Sequence, residues 1–126
     1  MEIINIGTDI EEVSRFENLD TKVLNRLFTE EELKYSGAKK NKAEHLAVRY
    51  CAKEAVYKAL PFDEIAFKKI QVLNDKSGAP KVTVKDKRAK DLCFKISLSH
   101  TKNFAQAVVL VYKNENNEKV FYNKFS

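Results

Sequence analysis

The long central segment, residues 43–60, carries its apolar residues at helical spacing. Small side chains recur there at every fourth position and form one narrow face: Ala47, Cys51, Ala55 and Ala59. Such a face allows a helix to pack closely against a neighbouring element. Pro61 follows directly and cannot continue a helix. The pattern therefore predicts one long helix that ends at Leu60.

Alternation of apolar and polar residues predicts several strands. Their predicted ranges are residues 2–9, 67–73, 81–84, 94–99 and 104–112. A dense turn signal over residues 74–80 separates the second strand from the third, and residues 100–103 separate the last two. Residues 114–126 contain a further turn signal, followed either by an edge strand or by a loose tail.

The first part of the chain carries two shorter helical patterns. Apolar spacing predicts a helix over residues 11–28, with an interruption at residues 18–20. Thr29 and Glu32 have the spacing of a capping box, which predicts a short helix that ends at Gly37. With the strands, these helices predict an α+β fold in which the long helix packs on an antiparallel sheet. We expect residues 1–126 to form a single domain.

Composition adds a basic charge to an otherwise ordinary globular protein. Of the 126 residues, 44% are hydrophobic and 33% are charged, and the net charge is +5. This excess favours an acidic partner or a polyanionic substrate. No apolar stretch reaches transmembrane length and no leader pattern opens the chain, so we expect a cytoplasmic protein that has no membrane partner. Cys51 and Cys93 are expected to be reduced core thiols rather than a disulfide or part of a zinc site.

Three polar residues are candidates for chemistry, although each also has a simpler structural role. Asp9 follows a predicted strand, where an aspartate commonly caps a helix. Glu54 stands one turn before Lys58, an order that favours a surface ion pair. His100 lies in a predicted hairpin turn. For each residue taken alone, the structural interpretation is favoured.

Taken together, these residues are of the types found in phosphate-processing sites. Two carboxylates can hold Mg²⁺, which keeps water ligands and takes the rest from substrate phosphates. Cations of the right type to hold those phosphates accompany them: Arg49, Lys53, Lys58 and His100. The residues therefore indicate a metal-assisted phosphoryl transferase or hydrolase that acts on a polyphosphate.

The alternative is a non-catalytic basic module that binds acidic protein or nucleic acid through Lys39 to Lys42. Nucleic-acid binding would favour clustered arginine with interleaved aromatic residues. The lysines are instead scattered and have no aromatic platform beside them. We therefore expect no nucleic-acid partner.

Four blocks of sequence occur in order: GTDIEEVSRF at residues 7–16, FTEEEL at 28–33, RYCAKEAVYKA at 49–59 and SLSHTK at 97–102. Together they resemble the ordered motifs of the small, single-domain holo-acyl-carrier-protein synthases, a branch of the 4′-phosphopantetheinyl transferases. The resemblance implies the fold of that family. It also implies Mg²⁺-dependent transfer of 4′-phosphopantetheine from coenzyme A to a serine of apo-acyl carrier protein. That reaction releases 3′,5′-ADP and supports fatty acid biosynthesis.

The resemblance also implies roles for individual residues. Asp9 and Glu54 correspond to the carboxylates that hold Mg²⁺, and Glu54 is also a candidate base for the serine hydroxyl, directly or through water. Lys58 would neutralise or protonate the departing 3′,5′-ADP. Arg49 and His100 correspond to nucleotide contacts. Further residues would line the adenine side or add positive charge near the phosphates: Gly78, Pro80, Ser99, Thr101, Lys40 and Lys42.

The same resemblance implies a protein partner and an oligomeric state, and the sequence differs from the family pattern at two positions. Arg15 corresponds to a helix position that docks the acidic carrier protein, and family members are typically homotrimers with active sites at subunit interfaces. Pro61 and Ala79 depart from the family pattern, in which a glycine and a basic or polar residue are common. A catalytically inactive trimer of the same fold is a further interpretation. The complete catalytic set argues against it: Asp9, Glu54, Lys58 and His100.

Overall fold

The structure, a computed structural model, describes residues 1–114. The strands are β1 (Glu2–Glu12), β2 (Ile70–Asn74), β3 (Pro80–Val84), β4 (Cys93–His100) and β5 (Phe104–Lys113). The α-helices are α1 (Thr21–Leu27), α2 (Glu30–Gly37) and α3 (Lys42–Ala59). Short 3₁₀ turns cover Val13–Phe16, Phe67–Lys69 and Lys87–Ala89. The predicted edge strand or tail at the end of the chain lies outside the described residues.

The strands form two separate antiparallel sheets. In the larger sheet, β5 lies between β1 and β4, whereas β2 and β3 form a hairpin of their own. Asp9 of β1 lies opposite Ala107, and His100 of β4 lies opposite Ala105. The predicted antiparallel pairing and the long helix are confirmed. The hairpin is separate from the main sheet, however, and residues 67–69 form a turn instead of the start of β2.

Helix α3 packs on one face of the larger sheet through small side chains. The residues that predicted this face are all completely buried: Ala47, Cys51, Ala55 and Ala59. The facing side chains of β5 are equally buried: Ala105, Ala107, Val109 and Val111. The small-residue face is therefore confirmed as the contact between helix and sheet.

At Gly7, β1 approaches α3 closely. A Cβ atom at this position would lie 2.1 Å from the carbonyl oxygen of Ala55 and 2.9 Å from the Cβ of Ala59. Only a glycine therefore permits the approach. Asp9 and Glu11 follow on the same face of the strand, because side chains alternate between faces. The close packing at Gly7 thus places two carboxylates beside α3.

The predicted helix over residues 11–28 is only partly correct. β1 continues to Glu12 because β5 supplies backbone partners as far as the pair of Glu12 with Phe104. The chain then turns through Val13–Phe16, which buries Val13 and Phe16. A residue in the middle of a strand cannot cap a helix, so the capping role considered for Asp9 is wrong.

Helix α1 begins only at Thr21, after the interruption that was predicted near residues 18–20. Asp20 caps it by accepting a hydrogen bond of 3.0 Å from the backbone N–H of Val23. Helix α2 has the predicted capping box, in which Thr29 and Glu32 each accept from the other's backbone N–H. The starts of α1 and α2 are thus set by side-chain caps.

Both cysteines are free thiols, but only Cys51 is the core thiol that was predicted. Cys51 is buried under the sheet, and burial raises its pKa to about 12. Cys93 is half-buried on β4. None of the helices within residues 1–114 has the length and apolar character needed to cross a membrane.

Candidate active site

The first half of the site lies where α3 crosses β1. Lys58 Nζ donates to Asp9 Oδ1 at 2.9 Å and to the carbonyl oxygen of Thr8 at 3.2 Å. Its ion pair is therefore with Asp9, and it replaces the surface pair that the sequence suggested between Glu54 and Lys58. The hydrogen bond that Lys58 donates to Asp9 raises the pKa of Lys58. Lys58 is consequently a charged ammonium held at the carboxylate.

Several carboxylates surround this contact. Glu11 is buried beside Asp9, and burial, reinforced by the hydrogen bond and the charge of Asp9, raises the pKa of Glu11 to about 7. The negative charge of Glu54 on α3 raises it further, while Arg15, which pairs with Glu11, partly lowers it. The protonated form of Glu11 is therefore favoured, chiefly because its carboxyl group is buried.

One oxygen in the cluster has no donor while Glu11 is ionised. Asp9 Oδ2 is buried and accepts no hydrogen bond in that state, whereas a protonated Glu11 carboxyl donates to Asp9. An unpaired buried carboxylate oxygen is costly, and a bound cation would satisfy it. Within residues 1–114 no group of three or more Asp, Glu, His or Cys side chains forms a complete metal site. Asp9 and Glu54 nevertheless fit Mg²⁺, which binds through one or two carboxylates and takes its other ligands from water and phosphate.

The second half of the site is a cleft of about 330 Å³. Residues of α3, β4 and the β2–β3 hairpin line it, and it joins four residues that the sequence assigned to the nucleotide: Arg49, Gly78, Pro80 and His100. Gly78 has a φ of 90°, a conformation that favours glycine and shapes the hairpin turn. The fold thus gathers onto one wall residues that are about 50 positions apart in sequence.

Arg49 supplies a buried positive charge to this cleft. Its side chain is only 2% exposed, and burial lowers its pKa. The guanidinium lies 4.5 Å from the centre of the Tyr35 ring and donates through Nη2 to Asn74 Oδ1, whereas Nε has no hydrogen-bond partner. Among the ion pairs of the described residues, none joins Arg49 to a carboxylate. An anion in the cleft could therefore pair with it.

Two histidines, His45 and His100, line the same cleft. His100 Nδ1 lies 2.8 Å from Glu44 Oε1, and its ring lies 5.7 Å from the ring of His45. Burial, together with the positive charges of His100, Arg49 and Lys39, lowers the pKa of His45. The unprotonated form of His45 is therefore favoured. Glu44 fixes the orientation of the His100 ring at the cleft.

Lys53 is the predicted phosphate-binding residue that the structure contradicts. Its side chain is completely buried, and Nζ donates to Glu32 Oε1 at 2.6 Å. Burial lowers its pKa, and the charge of Glu32 opposes that shift. Lys53 therefore joins α3 to α2 inside the protein and is not available to a phosphate.

The remaining candidates lie outside the cleft within this chain. Thr101 Oγ1 accepts from the backbone N–H of Phe104 in the β4–β5 turn, and Lys42 lines a separate small cavity. Arg15 is 61% exposed and pairs with Glu11. No partner contact or ligand tests these assignments, so the roles of Ser99, Thr101, Lys40, Lys42 and Arg15 stay predictions.

Sequence reasoning missed four residues of the site. Glu11 would have been found if the first strand had been extended, because it alternates with Asp9 on one face. Tyr35, His45 and Asn74 line the cleft from three different segments. Nothing in their spacing relates them to Arg49, so only the fold brings them together.

Comparison with known proteins shows which superfamily the chain belongs to. Residues 5–109 match the family model of the 4′-phosphopantetheinyl transferase superfamily. This chain belongs to that superfamily.

Curated relatives narrow the comparison to one kind of enzyme. A holo-[acyl-carrier-protein] synthase of Thermodesulfovibrio yellowstonii is 40% identical over 114 residues, which cover 86% of this chain and 98% of the relative. A holo-[acyl-carrier-protein] synthase of a Thermoanaerobacter species is 35% identical over 125 residues, which cover 90% of each chain.

Solved structures agree with the predicted fold. The holo-(acyl-carrier-protein) synthase of Bacillus anthracis, solved in complex with CoA (3′,5′-ADP), superimposes with a TM-score of 0.79 at 33% identity. That match covers 90% of this chain and all of the other chain. The Helicobacter pylori enzyme in complex with coenzyme A gives a TM-score of 0.73 at 27% identity, and it covers 84% of this chain and 98% of the other. The predicted 4′-phosphopantetheinyl transferase-like α+β fold is confirmed.

Proposed function

We propose that this chain is a Mg²⁺-dependent holo-acyl-carrier-protein synthase. It transfers 4′-phosphopantetheine from coenzyme A to a serine of apo-acyl carrier protein and releases 3′,5′-ADP. One observation carries the proposal: helix α3 joins two features that both suit a polyphosphate. Near one end, Glu54 and Lys58 lie at the carboxylate cluster of Asp9, and further along the helix Arg49 places a buried cation in the cleft. A polyphosphate would supply further ligands to a metal at the carboxylates and an anion to Arg49.

The carboxylates are the proposed metal ligands. Asp9 and Glu54 would hold Mg²⁺, and the unpartnered Oδ2 of Asp9 is the oxygen best suited to it. When bound, Mg²⁺ would neutralise charge on the pyrophosphate of coenzyme A and so make its phosphorus easier to attack.

The chain's own residues would then carry the proton and the leaving group. The serine oxygen of the carrier protein bonds to the phosphorus that bears pantetheine, and the bond from that phosphorus to the bridging oxygen breaks. Glu54 is the candidate acceptor of the serine proton. Lys58, held charged at Asp9, would stabilise the negative charge that develops on departing 3′,5′-ADP. Arg49 and His100 would hold the nucleotide in the cleft.

An exposed apolar surface supports a homotrimer. The outer face of the larger sheet, opposite α3, carries large apolar side chains that are 39–66% exposed: Ile6, Ile10, Phe104 and Val108. Contiguous exposed apolar patches commonly mark subunit interfaces. Copies of the chain would bury this face against one another in the proposed homotrimer, whose active sites lie at the subunit interfaces.

The proposal also includes an acidic carrier protein as the partner and the cytoplasm as the compartment. The net charge of +5 suits an acidic carrier protein, and the exposed Arg15 beside Glu11 is the proposed docking residue. Free Cys51 and Cys93 suit the reducing cytoplasm.

The direct test is a transfer assay read by mass spectrometry. The protein is incubated with coenzyme A, Mg²⁺ and apo-acyl carrier protein, and the carrier is examined for an added phosphopantetheine. We expect full conversion by the wild type, none after chelation of Mg²⁺, and none with Glu54→Gln although that variant remains folded. A wild type that modifies none of several carrier proteins would refute the proposal in favour of a basic binding module. Loss of folding in Glu54→Gln would instead assign Glu54 a structural role.

A further inference from the structure

Asn74 connects the buried arginine of the cleft to the β2–β3 turn. Its Oδ1 accepts from Arg49 Nη2, and its Nδ2 donates to the carbonyl oxygen of Gly78 at 2.7 Å. These two bonds fix the orientation of the amide, because the reverse orientation would set a donor against the guanidinium and an acceptor against a carbonyl. Arg49, Asn74 and Gly78 all line the same cleft.

The neutrality of this partner distinguishes Arg49 from other paired cations of the chain. Arg15 pairs with Glu11, Arg88 with Asp86, and the buried Lys53 with Glu32. A carboxylate partner positions a guanidinium and also neutralises it. An amide positions it without cancelling its charge. Arg49 is therefore oriented by Asn74 and Tyr35 while no carboxylate of the described residues pairs with it, and its Nε remains without a partner.

We propose that Asn74 is a positioning residue that holds Arg49 for an anionic group of the nucleotide substrate, and that its neutrality is essential to this role. The inference rests on the proposed function for the identity of the ligand, a phosphate of coenzyme A. Asn74 also links that ligand to the hairpin: its bond to Gly78 ties the arginine to the turn that shapes the cleft.

The discriminating substitution is Asn74→Asp, which keeps the size and the acceptor for Arg49 but adds a negative charge and removes the donor to Gly78. A carboxylate at this position would pair with Arg49 and repel the incoming phosphate. We expect Asn74→Asp to lose no more stability towards urea than Asn74→Ala, which removes both hydrogen bonds, and to weaken coenzyme A binding at least about tenfold, the loss expected for one charge-assisted hydrogen bond. A residue with a purely structural role would show the opposite relation, with binding lost only as stability is lost.

The experiment measures binding and stability on the same set of variants. Calorimetry gives the Kd for coenzyme A, and urea unfolding gives the free energy of unfolding, for wild type, Asn74→Asp, Asn74→Ala and Asn25→Asp. Asn25 is exposed on α1, so its variant adds the same charge away from the cleft and should bind within about twofold of wild type. In transfer assays, Asn74→Asp should raise KM for coenzyme A more than it lowers kcat.

Two results would overturn the inference. One is Asn74→Asp that binds coenzyme A as tightly as Asn25→Asp. The other is Asn74→Asp and Asn74→Ala losing binding and stability to the same extent. Inorganic pyrophosphate is the second probe and separates this inference from the proposed function. Suppose that wild type binds pyrophosphate but not coenzyme A, and that Asn74→Asp binds neither. This result would support the role of Asn74 in positioning Arg49 for an anion and would refute coenzyme A as the substrate. A wild type that binds neither probe refutes both.

Discussion

Lys53 and Glu32 form an ion pair inside the protein, with 2.6 Å between Nζ and Oε1 and with both side chains completely buried. Glu32 also accepts from the backbone N–H of Thr29 at 2.9 Å and, through Oε2, from that of Val72 at 2.8 Å. One carboxylate therefore joins α2, α3 and β2. Because Lys53 directly precedes Glu54, this pair also fixes the rotation of α3 at the proposed metal ligand.

Breaking the pair from one side should be strongly destabilising. Lys53→Met keeps the length of the side chain but leaves Glu32 as a buried carboxylate without a cation. We expect the free energy of unfolding to fall by about 3–5 kcal/mol, measured by urea unfolding. The double variant Glu32→Gln/Lys53→Met removes both charges and should recover part of that loss, because the amide can still accept from only one of the two backbone N–H groups of Thr29 and Val72. A loss below about 1 kcal/mol in Lys53→Met would mean that the pair does not control the packing of α3.

Close packing at Gly7 should tolerate no side chain. Gly7→Ala would place a methyl group 2.1 Å from a backbone oxygen of α3, so the helix must move away from β1. Overpacking of this kind costs about 1–3 kcal/mol, and here it should also separate Asp9 from Lys58 and abolish transfer. Gly37→Ala is the matched control, because no atom lies within 4 Å of its new methyl group and alanine favours the helix. If both variants were equally stable and active, the proposed close contact would be wrong.

The contrast between Lys53 and Lys58 shows where prediction from the sequence stops. Both lysines stand in one motif five positions apart, and both were assigned to phosphates, yet one is buried and the other is 49% exposed. Local signals predicted the capping box and the small-residue face correctly, since capping and periodicity depend on neighbouring residues. Glu32's bonds to Lys53 and Val72 depend on residues 21 and 40 positions away, which no local pattern contains.

The length of strand β1 also shows that local sequence patterns do not predict the whole site. The helix predicted over residues 11–28 does not include Glu11 and Glu12, because pairing with β5 extends the strand through them and brings Glu11 beside Asp9. Residue type suggested Asp9 and Glu54 as a carboxylate pair, but only the resemblance to a known family assigned both of them to one site. Their position on either side of the β1–α3 contact depends on the close approach at Gly7, which is a property of the whole fold.

The raised pKa of Glu11 predicts a pH-dependent stability. Its folded-state pKa of about 7 exceeds its ordinary value of 4.5, so the folded state favours the protonated carboxyl. The protonated Glu11 carboxyl therefore makes its full contribution to the free energy of unfolding below pH 4.5, and this contribution is lost as the pH rises through about 7. In metal-free protein, Glu11→Gln should therefore raise the free energy of unfolding at pH 8 by roughly 1–3 kcal/mol relative to wild type. Urea unfolding at pH 4.5 supplies the control, where the two proteins should differ little; the same difference at both values would exclude titration of Glu11 as the cause.

Mg²⁺ and coenzyme A should stabilise the protein cooperatively, because the proposed metal site is completed by substrate phosphates. Thermal unfolding should show a rise in Tm with both ligands that exceeds the sum of the two separate rises. Asp9→Asn removes the carboxylate whose Oδ2 has no partner, and it should lose that excess while it still responds to coenzyme A alone. An unchanged excess in Asp9→Asn would place the metal elsewhere. This readout needs no carrier protein and is independent of activity.

The exposed apolar face predicts how assembly and catalysis are linked. Ile6 is 61% exposed on the outer face of β1, whereas the inner face of the same strand holds Asp9. Ile6→Lys should therefore leave the fold of the subunit intact but oppose burial of that face, and light scattering should show a monomer in place of a trimer. Because the proposed active sites lie at subunit interfaces, transfer activity should fall together with the trimer fraction and recover at high protein concentration. Lys22→Glu, on exposed α1, is the control for a charge change away from this face. A fully active monomeric Ile6→Lys would show that one subunit contains the complete site.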